Sequence, residues 1–190
     1  MAYHGDSLAK EAVRSTAYSM IEKRLSNGFW TKKHIVLAGD CGDIKTLYRY
    51  GVDVENIIAC DCDSKALDRA SDWGVFIPSK GCDDLVETVR WAVDQYGINQ
   101  IGSINADLCG TLQKGIPILK DIRKIVGKKI PTLFTFIYAW DGFYMGKEAA
   151  PGNARKAFLT KAAGKPKALL PYQSRTRASY GSPMCVAVFT

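Results

Sequence analysis

Short apolar runs recur along this chain, each followed by a polar turn and then by a segment with helical spacing. The runs are His34 to Ala38, Asn56 to Cys60, Val75 to Ile77, Ile101 to Ala106 and Thr132 to Trp140. An apolar run without polar alternation is the pattern of a parallel strand covered on both faces. Strands that alternate with helices build a doubly wound α/β sheet with right-handed crossovers. The predicted helices cover residues 7–26, 43–50, 64–73, 83–96 and 119–126. In the first, Leu8, Ala12, Ala17, Met20, Ile21 and Leu25 form the apolar stripe. Asp63 or Ser64 caps the third. A further helix, capped by Asn153, runs to Ala163.

The C-terminal end changes pattern. Residues 172–180 alternate with period two, Gly181-Ser182-Pro183 makes a turn, and Met184 to Thr190 is again apolar. This predicts an antiparallel β-hairpin that closes the parallel sheet and brings it to seven strands. The reading is therefore one Rossmann-like domain over residues 34–190, preceded by a helix or cap over residues 1–33.

Composition narrows the class. With 47% hydrophobic and 24% charged residues, the chain has the balance of a globular fold and not of a disordered one. The longest apolar runs fall far short of the roughly 20 residues of a membrane span. No basic stretch leads into an apolar one at the N-terminus, so no secretory leader and a cytoplasmic location are expected. The six cysteines show no Cys-x-x-Cys and no zinc-finger spacing, so no metal is expected and free thiols are. The net charge of +7 is not spread evenly. Residues 149–190 hold seven bases and no acid, whereas residues 1–148 hold 19 of each. A localised positive field attracts anionic partners, so a nucleic acid or nucleotide is the expected partner of this tail.

In open α/β sheets, ligands bind beyond the carboxyl ends of the strands. Four turns therefore carry the candidate chemistry. The first is Gly39-Asp40-Cys41-Gly42-Asp43, where glycines permit close approach of a ligand to backbone amides. The second is Asp61-Cys62-Asp63. Asp61 lies 22 residues after Gly39, the interval at which a carboxylate accepts both ribose hydroxyls of a nucleoside. The third is Gly81-Cys82-Asp83-Asp84, and the fourth Asn105-Ala106-Asp107-Leu108-Cys109. Cys41, Cys62, Cys82 and Cys109 thus follow four successive strands, where small residues suit a crowded pocket.

Taken in order, these turns resemble those of the class I S-adenosylmethionine-dependent methyltransferases. The glycine-rich loop of that family corresponds to Val36 to Asp43, and the acidic residue after its second strand to Asp61. The resemblance implies a methyl donor, S-adenosyl-L-methionine, held by Gly39, Asp40, Cys41 and Gly42 at its amino-acid end. Asp61 and Cys62 would meet the ribose side, and Cys82 and Asp83 the adenine edge. Asn105 and Asp107 fall beside the transferred methyl, with Asp107 as candidate base. Trp140 would belong to the substrate wall, and Arg175 and Arg177, on one face of a strand, to phosphate contacts. The loop departs from the family's Gly-x-Gly-x-Gly by lacking one glycine and carrying two acids. Those acids suit a sulfonium and ammonium and would repel a dinucleotide pyrophosphate. Two alternatives share the fold: a non-catalytic protein that binds S-adenosylmethionine or nucleic acid, and an enzyme that cleaves S-adenosylmethionine.

Overall fold

The computed structural model describes residues 8–79, 81–137, 156–157, 159–161, 163–173 and 183–190. Its centre is a six-stranded mixed sheet. The strands are β1 (Lys33–Leu37), β2 (Ile57–Cys60), β3 (Ile101–Thr111), β4 (Thr132–Ile137), β5 (Ala168–Gln173) and β6 (Pro183–Phe189). Their spatial order is β2-β1-β3-β4-β6-β5. β1 pairs in parallel with β2 and β3, and β3 with β4. β6 runs antiparallel between β4 and β5.

Helices cover both faces, as the unbroken apolar strands require. On one face α4 (Leu85–Tyr96) and α5 (Leu112–Val126) pack Leu85, Val89, Leu119 and Ile122 against Ile35, Ile104, Phe134 and Phe136. On the other lie α1 (Leu8–Leu25), α2 (Gly42–Arg49) and α3 (Ser64–Ser71), burying Tyr18, Ile21, Ile44, Leu47 and Ala66 against Val36, Ala59, Leu133 and Val186. Asp63 caps α3 by accepting from the Lys65 amide. Asp84 caps α4 with bonds from the Val86 and Glu87 amides, so that helix starts two residues later than its sequence pattern predicts.

Several elements differ from the sequence expectation, each for a physical reason. Val75 to Ile77 does not form a strand; it contributes one bridge, Ile58 to Phe76. The left-handed turn at Gly74 (φ +73°) and the proline at 78 leave too few residues for a ladder. The described sheet therefore has six strands, not seven. The antiparallel pair at the C-terminus joins β5 and β6, but its first strand is Ala168–Gln173 and not 172–180. Pro171 fits there because β5 is an edge strand and needs no amide on its outer side. The expected turn at 181–182, most of the 172–180 segment and the Asn153 cap lie outside the described residues. So do Trp140, Arg175 and Arg177.

α5 begins seven residues before the predicted Leu119 and contains Pro117. The proline removes one helical amide bond, yet the stripe of Gly115, Ile116, Leu119, Ile122 and Val126 is buried throughout, and that packing prevails. β3 runs on past Ala106 to Thr111, with its register against β4 shifting between Asp107 and Thr111. In α1 the buried stripe is Arg14, Ala17, Tyr18 and Ile21. Leu8, expected to be apolar core, is 86% exposed, and Ala12 is exposed too.

Candidate active site

The turn after β1 is built from two left-handed residues. Gly39 has φ +44°, and Cys41, which precedes α2, has φ +62°. Such angles are costly for a residue with a side chain and fold the chain back sharply. The Cys41 amide thereby reaches the Ala38 carbonyl at 2.7 Å. A Cβ placed on Gly39 would have open space around it. The outer side of this turn is thus accessible where Gly39 faces it.

Asp61, at the tip of β2, reaches the same turn. Its Oδ2 accepts the Gly39 amide at 2.9 Å, and its Oδ1 accepts the Asp63 amide at 3.0 Å. Each carboxylate oxygen keeps acceptor capacity beyond that one bond. The Asp61 amide bonds the Cys82 carbonyl at 2.7 Å, which ties the third turn to the second. Gly39, Asp61 and Cys82 therefore come together, in the turns after β1, β2 and the Ile58–Phe76 bridge. Cys62 and Asp83 are exposed and Cys82 half-buried. Arg69, which the sequence reading missed, donates to the Gly39 carbonyl at 2.7 Å from α3. Its signal was present: Arg69 lies in the last turn of the helix that Asp63 opens.

The two acids of the first turn part company. Asp40 is half-buried, and its Oδ1 accepts the Gly42 amide at 3.1 Å. Asp43 is 3% exposed and points under α1, where Arg14 Nε meets its Oδ1 at 2.9 Å. The expectation that both acids flank a cationic ligand end is corrected here: Asp43 is drawn inward by a buried guanidinium. Asn105 Nδ2 donates to the same Asp43 oxygen at 2.5 Å and lies 3.5 Å from the Tyr18 hydroxyl. Burial first, and Asp43 beside it second, push the Tyr18 hydroxyl well above its ordinary range.

Lys10, Arg14 and Tyr18 are spaced by four, so they form one stripe of α1. Opposite them stand Asp107, Asn105 and Asp43. Lys10 Nζ is 2.8 Å from Asp107 Oδ2, and Arg14 Nη2 is 3.9 Å from that oxygen. All of these except Tyr18 line a cleft completed by Ala17, Leu133, Thr135, Tyr172 and Val186. The cluster sets two cations against two carboxylates; Arg14 and Asp43 are buried, which is tolerable only because they pair. Asn105 Oδ1 is buried there with no hydrogen-bond partner among the described residues. The sequence reading found Asn105 and Asp107 but not Lys10, Arg14, Tyr18 or the inward role of Asp43. A stripe of polar residues at i, i+4 and i+8 in a helix over the sheet was the available signal.

Two buried thiols are held protonated. Burial pushes Cys60 up to about 12 and raises Cys41, so neither carries the thiolate a nucleophile or metal ligand needs. Among the described residues no group of His, Cys, Asp and Glu is arranged to hold a metal ion. The Cys109 side chain lies outside the described set. No described helix is long and apolar enough to cross a membrane.

No protein-family model matches the sequence, and no curated protein does. Solved structures do resemble it. The precorrin-8w decarboxylase of Methanobacterium thermoautotrophicum is 14% identical, with a TM-score of 0.55 over 99% of this chain and 92% of that one. EvdMO1 is 17% identical, with a TM-score of 0.51 over 99% of this chain; the chain spans only 43% of EvdMO1. A SAM-dependent methyltransferase from Anabaena variabilis is 12% identical, with a TM-score of 0.47 over 95% of this chain and 85% of that one. At such identities the likeness is one of fold. The fold that the order of the turns implied is thus shared with solved structures.

Proposed function

We propose that the chain is an S-adenosylmethionine-dependent methyltransferase. The observation that carries this reading is the joining of Asp61 to the Gly39 amide at 2.9 Å beside a turn with open space over Gly39. A carboxylate pinned by backbone amides at the tip of β2, with acceptor sites left over, suits the two hydroxyls of a ribose. The residues fit the donor. Gly39, Asp40, Cys41 and Gly42 would hold its amino-acid end, Asp61 and Cys62 the ribose side, and Cys82 and Asp83 the adenine edge.

The donor supplies a methyl group on a cationic sulfur, open to in-line displacement by an acceptor lone pair. What remains for the protein is proximity, alignment and exclusion of water. Asp107, in the cleft under α1, would take the proton that an O–H or N–H acceptor must lose. Asn105 would orient the acceptor, since its Oδ1 has no hydrogen-bond partner among the described residues.

Calorimetry with S-adenosylmethionine and S-adenosylhomocysteine tests the reading. Both should bind. Asp61→Asn keeps an oxygen for the Gly39 amide but loses the charge that two hydroxyls address, and should weaken both ligands by about 100-fold or more. Binding of NAD with no affinity for either sulfur nucleoside would reverse the assignment. Binding without turnover against pools of DNA, RNA, protein and metabolites would favour a non-catalytic protein on the same fold.

A further inference from the structure

The carboxyl ends of the strands hold the candidate site, and the opposite end of the sheet has a composition of its own. β4 begins at Thr132 and β5 at Ala168, and both starts meet the end of β6 in the pairs Thr132–Phe189 and Ala168–Val188. The residues leading into these strands therefore share one pole: Lys128 and Lys129 before β4, Lys165 and Lys167 before β5. Leu159 and Ala163, helical residues ahead of Gly164, pack with Ile122 and Val126 of α5 in one apolar cluster. Lys128 Cε lies 3.6 Å from the place a Cβ on Gly164 would take. Two stretches distant in sequence thus join into one surface.

The charge of that surface is one-sided. Lys120, Lys128, Lys129, Lys161, Lys165 and Lys167 are all exposed. Asp121 is the only Asp or Glu in residues 112–129 and 156–167, and Lys124 holds its carboxylate at 2.6 Å. α4, which packs beside α5, carries mixed charge, with Glu87 paired to Arg90 and Asp94 exposed, so it bounds the patch. Like charges gathered on one surface attract a polyanion and raise its local concentration.

Residue type then selects among polyanions. Lysine is a point charge without the planar fork that arginine uses on base edges. Arg123 of α5 is committed to the Gly127 and Ile130 carbonyls, at 2.9 and 3.0 Å. Among the described residues, the large apolar side chains left exposed are Leu8, Trp30, Tyr48 and Phe76, none of them in these segments. The patch therefore offers neither the stacking platform of a single-strand binder nor the apolar wedge of a membrane-surface helix. Ammonium groups donate and cannot accept, so they gain nothing from the hydrogen of a ribose 2′-hydroxyl. The exposed Thr160 hydroxyl already donates to the Lys156 carbonyl at 2.6 Å.

We infer that this lysine-rich pole is a docking surface for duplex DNA, held through backbone phosphates without regard to base sequence. It lies at the far end of the sheet from Gly39 and Asp61, so it anchors the protein and leaves the candidate site open. The inference does not rest on the methyl-donor reading, because duplex binding is measured with no donor present.

Fluorescence anisotropy of a labelled DNA duplex of about 20 base pairs, titrated with the full chain, tests this. At physiological salt the Kd should fall between about 1 and 100 μM, and two unrelated sequences should agree within about threefold. Raising salt from about 50 to 200 mM should weaken binding, with a log–log slope of roughly −0.9 for each phosphate held. Lys128→Gln combined with Lys165→Gln should weaken binding at least about tenfold and bring that slope about two closer to zero. Lys45→Gln combined with Lys65→Gln removes the same charge from exposed positions of α2 and α3 and should leave the Kd within about threefold. Absence of binding, a larger difference between sequences, or an equal loss in both double variants overturns the inference, the last because net charge alone would then explain it. Tighter binding of an RNA duplex or a single strand also overturns it. So does displacement of the duplex by phosphatidylserine vesicles, which would make the pole a membrane contact.

Discussion

The two faces of the sheet are built from different materials. Under α4 and α5, the strands present Ile35, Ile104, Ala106, Phe134 and Phe136, and the helices answer with Leu, Val and Ile. Under α1 and α2, the same strands present His34, Ser103, Asn105 and Thr135 among their apolar residues, and the helices answer with Arg14, Asp43 and Thr46. Alternation makes this possible, because neighbouring residues of one strand point to opposite faces. An apolar face gains by burial alone and tolerates little change of shape. A polar face gains only while every group keeps its partner, and it is the face that offers chemistry.

That contrast can be broken most forcefully at Arg14. Arg14→Ala leaves Asp43 buried without its guanidinium, and a broken buried pair costs about 3–5 kcal/mol. Urea unfolding should register this, and a loss below about 1 kcal/mol would show that Asn105 and Tyr18 suffice for Asp43. His34 comes next. Its ring lies 2.8 Å from the Ser103 hydroxyl and 2.7 Å from the Phe29 carbonyl, and burial lowers its pKa from 6.5 to about 4. Its folded pKa lies below its unfolded one, so the unfolded chain takes the proton first as pH falls. Stability should be full above about pH 6.5 and decline toward pH 4, by roughly 3 kcal/mol from this group. His34→Gln should flatten that part of the profile.

On the apolar face, shape is the lever. A methyl group on Gly115 would stand 2.5 Å from Phe134 Cζ, closer than packed atoms approach. Gly115→Ala should therefore cost about 1–3 kcal/mol through overpacking, measured by thermal unfolding, despite alanine's better helix propensity. The smallest effect belongs to a pair outside both faces. Arg49 and Glu11 form a salt bridge with side chains 65% and 36% exposed, and Arg49→Ala should change stability by less than about 1 kcal/mol. A larger loss would mean that α1 is held on α2 by this surface pair and not by the buried stripe.

Legibility in the sequence followed the same division. The β1, β2 and β4 runs and the order of the turns could be read because a strand buried on both faces has one signature, unbroken apolarity. Gly39 and Asp61 were legible as partners because their interval fixes them to successive strand tips. α5 misled at its start, since Pro117 is a helix breaker in isolation and the buried stripe from Gly115 to Val126 keeps the segment helical. α1 misled more deeply. Leu8 and Ala12 fit an apolar stripe as well as Ala17 and Ile21 do, yet the helix turned Arg14 and Tyr18 inward. Nothing local marks those two as buried, because their partners Asp43 and Asn105 are distant in sequence.

By itself, then, the amino-acid order determined the alternation of strand and helix, the placing of carboxylates and glycines at the strand tips, and the charge imbalance of the last 42 residues. These depend on periodicity and spacing, which are local. Which acid faces outward and which is pulled beneath α1, and which cation meets Asp107, were decided only by the assembled layers. A buried charge is stable solely beside its counterion, and the chain must close before the two can meet.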